Sequence, residues 1–126
     1  MAGRLGEGHD EYNTEFAPAN VRLYEIAVAV ELGDAGRALR AAAAVDTSSL
    51  SAERQARMLI DVARAHAQRR QVSEAVAALL HAEAITPEQV RGHALIRQLV
   101  SDLLTMPDPP EAELRDLAKR LTANQY

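Results

Sequence analysis

The chain has 126 residues, 48% of them apolar and 25% charged, which is one domain's worth of sequence with enough apolar side chains to build a core. It contains no cysteine and carries a formal net charge of −4. Disulfide scaffolds, thiolate metal sites and thiol catalysis are thereby excluded, and nucleic-acid binding by bulk electrostatics is disfavoured. No apolar run approaches the ~20 residues that cross a bilayer, and no signal-peptide core opens the chain, so a cytoplasmic, non-membrane protein is expected.

Alanine is the commonest residue, at 25 positions, and β-branched residues never alternate with polar ones over a strand's length. Both features predict an all-α fold. Residues 1–16, with Gly3, Gly6 and Gly8, read as a linker or the frayed end of a preceding helix, with Leu5, Tyr12 and Phe16 as docking points. Residues 17–126 read as the folded domain. A helix begins near Pro18, carries Leu23, Ile26, Ala27 and Val30 on one face, and stops at Gly33. Asp34 caps a second helix with Ala38, Leu39, Ala42 and Val45. Ser51 caps a third, expected to bury Leu59, Val62, Ala63 and His66. A fourth, Gln71 to Ala84, points Ala75, Val76, Leu79 and Ala82 inward. Thr86 and Gln89 have the spacing of a capping box ahead of a short helix ending at Gly92. A longer helix carries Ile96, Leu99, Val100 and Leu103. Pro107, Pro109 and Pro110 then break the chain before a last helix with Leu114, Leu117, Ala118 and Leu121.

These helices repeat in pairs. Leu23, Ile26, Ala27 and Val30 return as Leu59, Val62, Ala63 and His66, then as Ile96, Leu99, Val100 and Leu103. In the second helix of the pair, Ala38, Ala42 and Val45 return as Ala75, Leu79 and Ala82. A helix pair cannot bury its apolar faces alone, so such repeats stack.

Residues 56–87 resemble a tetratricopeptide repeat (TPR), with Ala75, Leu79 and Ala82 at the small-large-small positions of its second helix and Pro87 as the closing proline. The resemblance implies a TPR-like α-solenoid of about three helix hairpins. A wider resemblance covers about residues 4–105. The runs Phe16 to Val21, Ala29 to Asp34, Asp61 to Ala65 and Ala84 to Arg91 resemble the C-terminal half of actinobacterial XRE-family helix-turn-helix transcriptional regulators. In that family, a DNA-binding domain precedes a TPR-like domain thought to sense a ligand or partner. No helix-turn-helix segment precedes Phe16 here, and Ala17 and Ala19 stand where a glycine and a threonine are common. The resemblance therefore implies a sensing domain without its own DNA-binding module. A stand-alone TPR-like interaction adaptor is the alternative.

No constellation suggests catalysis, a cofactor or a metal. His81 and Glu83 form an H-x-E pair, but no cysteine exists to complete a zinc-deaminase set, and a solvated helix edge explains the pair. His9, Asp10 and Glu11 are adjacent on the linker. His66 reads as a core histidine whose ring N–H needs a partner, and no serine sits in a nucleophile elbow. The protein is expected not to be an enzyme.

A surface is the better candidate. In a solenoid of this kind the first helix of each pair lines a concave groove, and the core phase places Val21, Tyr24 and Val28, then Arg57, Ile60 and Arg64, then Ala94, Arg97 and Ser101 along it. Tyr24, Arg57, Ile60, Arg64, Arg97 and Ser101 are the candidate ligand residues, though Arg57 and Arg64 also flank Asp61 and could pair with it. Three arginines in one concavity suit an acidic peptide, an acidic protein or a carboxylate-bearing small-molecule effector. Direct nucleic-acid binding is not expected. A homodimer is expected, because the tail after Pro110 can cap one end of the array while only Leu5 and Tyr12 are available at the other.

Overall fold

The computed structural model describes residues 18–106 and 112–123. Residues 1–16 and the prolines at 107, 109 and 110 lie outside the described residues, and so do the expectations that fall on them. Among the described residues the chain is wholly α-helical, without a strand. The helices are α1 (Pro18–Glu31), α2 (Ala35–Ala43), α3 (Ala52–Gln68), α4 (Val72–Ile85), α5 (Pro87–Arg91), α6 (Ala94–Leu104) and α7 (Ala112–Ala123), with a 3-10 turn at Thr47–Ser49 between α2 and α3.

Local chemistry sets most of these limits. The Asp34 carboxylate accepts from the Arg37 N–H at the start of α2, and the Ser51 hydroxyl accepts from the Arg54 N–H at the start of α3. Each side chain satisfies one of the backbone donors that a helix N-terminus leaves unpaired. After α1, the N–H of Gly33 donates to the Val30 carbonyl and that of Asp34 to the Ala29 carbonyl, with Gly33 at φ +77°. After α3, Arg70 donates to Ala67 and Gln71 to His66, with Arg70 at φ +61°. These are the same C-terminal hydrogen-bond motif, 37 residues apart. The capping box at Thr86 does not form. Thr86 also ends α4, donating its N–H to the Ala82 carbonyl, and its hydroxyl makes no cap bond.

Two apolar clusters hold the helices together. One joins α1, α2 and the near side of α3 around Ile26, Val30, Ala38, Met58 and Ala65. The other joins the opposite side of α3 to α4, α6 and α7 around Ile60, Leu79, Ile96, Leu103, Leu114 and Leu117. Helix α3 packs against α1, α2, α4 and α6, and α7 packs against both α4 and α6. The expected inward residues of α4, α6 and α7 are buried, apart from the half-buried Ala118.

Helix α3 differs from its sequence reading by one residue. Leu59 and Val62 are half-buried, while Ala56, Ile60, Ala63 and Ala67 are buried. Ile60 therefore corresponds to Leu23 and Ile96, and the interval from α1 to α3 is 37 residues, as the shared C-terminal motif also requires. The cause is that α3 is buried on two sides, so its apolar residues spread around the helix and no single stripe fixes the phase.

One buried carboxylate ties α7 down. Glu83 of α4 is 8% exposed. It accepts from Arg120 Nε at 2.8 Å and Nη2 at 2.7 Å, and from Arg91 Nε at 3.2 Å. The two-point contact is the strong geometry for an arginine and a carboxylate.

Candidate functional site

The site grows from the middle of α3. Asp61 is 5% exposed, facing the side of α3 where Arg57 and Arg64 stand one turn before and after it. Arg64 reaches it with Nη1 at 3.3 Å and uses Nη2 to bind Glu31, the last residue of α1, at 2.9 Å. Burial raises the Asp61 carboxyl above its usual range, against the opposing pull of Arg64 and Arg57. One arginine thus spans two helices, and the acid it covers is short of solvent.

The start of α6 completes the arrangement. His93 caps this helix, its Nδ1 accepting from the Leu95 N–H at 3.2 Å. That bond needs an unprotonated Nδ1, which leaves the ring proton of the neutral imidazole on Nε2. Burial lowers the His93 pKa, and Arg57, Arg64 and Arg97 lower it further while Asp61 works the other way. Arg97, one turn into α6, is half-buried and donates Nη1 to the Arg91 carbonyl at 3.5 Å. Arginines from α3 and α6 therefore share one electrostatic neighbourhood on an acidic chain, with His93 and Asp61 among them.

The candidate residues separate into groups. Arg57, Arg64 and Arg97 all act electrostatically on His93, although the one-residue shift in α3 moves Arg57 and Arg64 off the positions aligned with Val21 and Val28. Tyr24 stands on α1, 74% exposed, in a row with Val21, Val28 and Leu32, all exposed. Ser101 is exposed on α6 and lines a shallow cavity of about 220 Å³ with Arg97, between α6 and α7. Ile60 is corrected: at 1% exposure it is core, displaced from the groove by the one-residue phase shift in α3.

Other readings also change. Glu83 is no solvated helix edge, since it sits under Arg120 and Arg91, while its H-x-E companion His81 is exposed. His66 is half-buried, and its Nδ1 lies 2.8 Å from the Gln71 Oε1, which is the partner its ring requires. Sequence reasoning missed His93. The available signal was its position immediately before an apolar-periodic helix, where a cap belongs. Among the described residues no group of three or more His, Asp or Glu side chains is placed to hold a metal ion, and no helix is long and apolar enough to cross a membrane. No protein-family model, curated protein or solved structure matches the chain.

Proposed function

We propose that this domain is the ligand- or partner-sensing part of a cytoplasmic transcriptional regulator of the actinobacterial XRE type, without its own DNA-binding module. In this reading it is a TPR-like α-solenoid whose hairpins are α1–α2, α3–α4 and α6–α7, with α5 inserted before the third. The order of helix contacts and the shared motif after α1 and α3 support that arrangement. Its ligand is acidic: a carboxylate-rich peptide segment of a protein partner.

The observation that carries the proposal is the gathering of Arg57, Arg64 and Arg97 near His93 in a chain of net charge −4. Local positive potential on an acidic surface steers anionic partners and discriminates against others. The test is fluorescence polarisation with a labelled glutamate-rich peptide and its glutamine counterpart. The glutamate peptide should bind at least tenfold tighter, and Arg57→Ala and Arg97→Ala should each weaken it. Equal binding of the two peptides overturns the reading. In gel shifts at physiological salt, the domain should select no DNA sequence; a selective shift overturns the absence of a DNA-reading role.

The exposed row of Val21, Tyr24 and Val28 on α1, with Leu32 just after it, favours a second reading, an adaptor that pairs with another copy of itself. A two-fold axis would bury the same row twice. Sedimentation equilibrium should then give a dimer that Tyr24→Glu dissociates, and a monomer at about millimolar concentration excludes it.

A further inference from the structure

A cavity of about 520 Å³ opens between the last turns of α3 and the length of α6. Its size lies within the ~300–1,000 Å³ range of small-molecule sites. Arg64 of α3 and Arg70 just after that helix line it, together with Leu95, Leu99 and Asp102 of α6 and Met106 just beyond. Leu95 is an exposed apolar side chain here. Among the described residues, Arg70 and Asp102 belong to no ion pair, although they face the same cavity. The Asp102 carboxylate accepts a hydrogen bond from Gln98 Nε2 at 3.0 Å. A cation and an anion, both exposed, thus line one cavity without forming an ion pair with each other.

The backbone at Arg70 is a second, independent observation. It occupies the left-handed position after α3 that Gly33 occupies after α1. Glycine is the residue that takes this conformation freely. An arginine takes it at a backbone cost, and the Arg70 side chain lines the cavity.

We propose that the cavity binds a free aliphatic amino acid. Its carboxylate faces Arg70 and Arg64, its ammonium faces Asp102, and its side chain lies on Leu95, Leu99 and Met106. A simple carboxylate would leave Asp102 unpaired against an anion, and a simple amine would leave Arg70 unpaired, so the zwitterion is the species that satisfies both ends. The inference rests on the reading of this domain as a sensor; it shares Arg64 with the arginine cluster, but Arg70 and Asp102 belong to the cavity alone, and Arg57 and Arg97 do not line it.

Calorimetric titration of the full chain with leucine, N-acetylleucine and leucinamide tests it. Leucine should bind at about millimolar affinity or tighter, at least tenfold better than either blocked form. Arg70→Gly and Asp102→Asn should each weaken leucine at least tenfold, while Arg115→Ala, at an exposed position on α7, leaves it unchanged. Circular dichroism melts show whether each variant is folded, and Arg70→Gly should melt no lower than the wild type. Absence of leucine binding in a folded protein, equal binding of the blocked forms, or full binding by Arg70→Gly overturns the proposal. The glutamate-rich peptide titrated into the same samples separates the two ideas: peptide binding without leucine binding removes this site and leaves the arginine groove.

Discussion

Arg70 and Gly33 occupy the same left-handed backbone position, 37 residues apart, where α3 and α1 each close with two carbonyl-directed N–H bonds. A non-glycine residue there carries a backbone cost of roughly 1 kcal/mol. Arg70→Gly should therefore stabilise the fold by about 0.5–1 kcal/mol, and Gly33→Ala should destabilise it by about 1 kcal/mol. At Gly33 an added Cβ meets nothing within 4 Å, so the loss there comes from the backbone alone. Urea melts of the two single variants measure both signs.

Ile60 and Leu59 are adjacent on α3 but differ in burial, Ile60 being core and Leu59 half-buried. Ile60→Ala should cost about 2–5 kcal/mol and Leu59→Ala clearly less. Equal losses in the same melts would mean that the helix is rotated from the orientation described.

The Glu83–Arg120 contact fastens α7 to α4, and Glu83→Gln should loosen it. Both arginines are more than a third exposed and can rehydrate, so the loss should be roughly 1–3 kcal/mol and not the larger value of a sealed pair. Hydrogen exchange in α7 should rise before that in α1. Hydrogen bonding to Arg120 and then Arg91 holds the Glu83 carboxyl below its ordinary value of 4.5, against burial. A depressed folded-state pKa gives stability that is present above the unfolded value and lost as pH falls through the folded one. Docking of α7 should therefore weaken only in acid, below about pH 4.5, and the Gln variant should lose that part of the pH dependence.

Asp61 behaves in the opposite sense. Burial raises its carboxyl, so the charged form is the strained one, and stability from this group is greatest at low pH and falls as pH rises through the raised value. Asp61→Asn should change stability at neutral pH by no more than about 1 kcal/mol, because Arg64 keeps Glu31 as a partner. Removing the negative charge from among Arg57, Arg64 and Arg97 should strengthen glutamate-rich peptide binding several-fold, measured by polarisation at fixed salt.

Sequence by itself determined the helices and their punctuation. Asp34 and Ser51 cap, Gly33 stops and Pro87 starts a helix because these are properties of a residue and its immediate backbone. The inward faces of α4, α6 and α7 were legible too, since each presents one apolar stripe. The burial of Ile60 was not legible, because α3 meets neighbours on two sides and its pattern admits more than one rotation, and the same shift moves Arg57 and Arg64 from the positions helical phase gave them. Tertiary structure alone buried Glu83 under Arg120, a contact 37 residues away along the chain, and brought His93 beside arginines of another helix. It also decided Arg70: nothing local marks an arginine for a left-handed turn, and its match to Gly33, 37 residues earlier, shows only in the backbone. Propensity and capping act over a turn of helix, whereas the charge pairs and the cavity depend on which helices pack together, and that is set by burial across the whole chain.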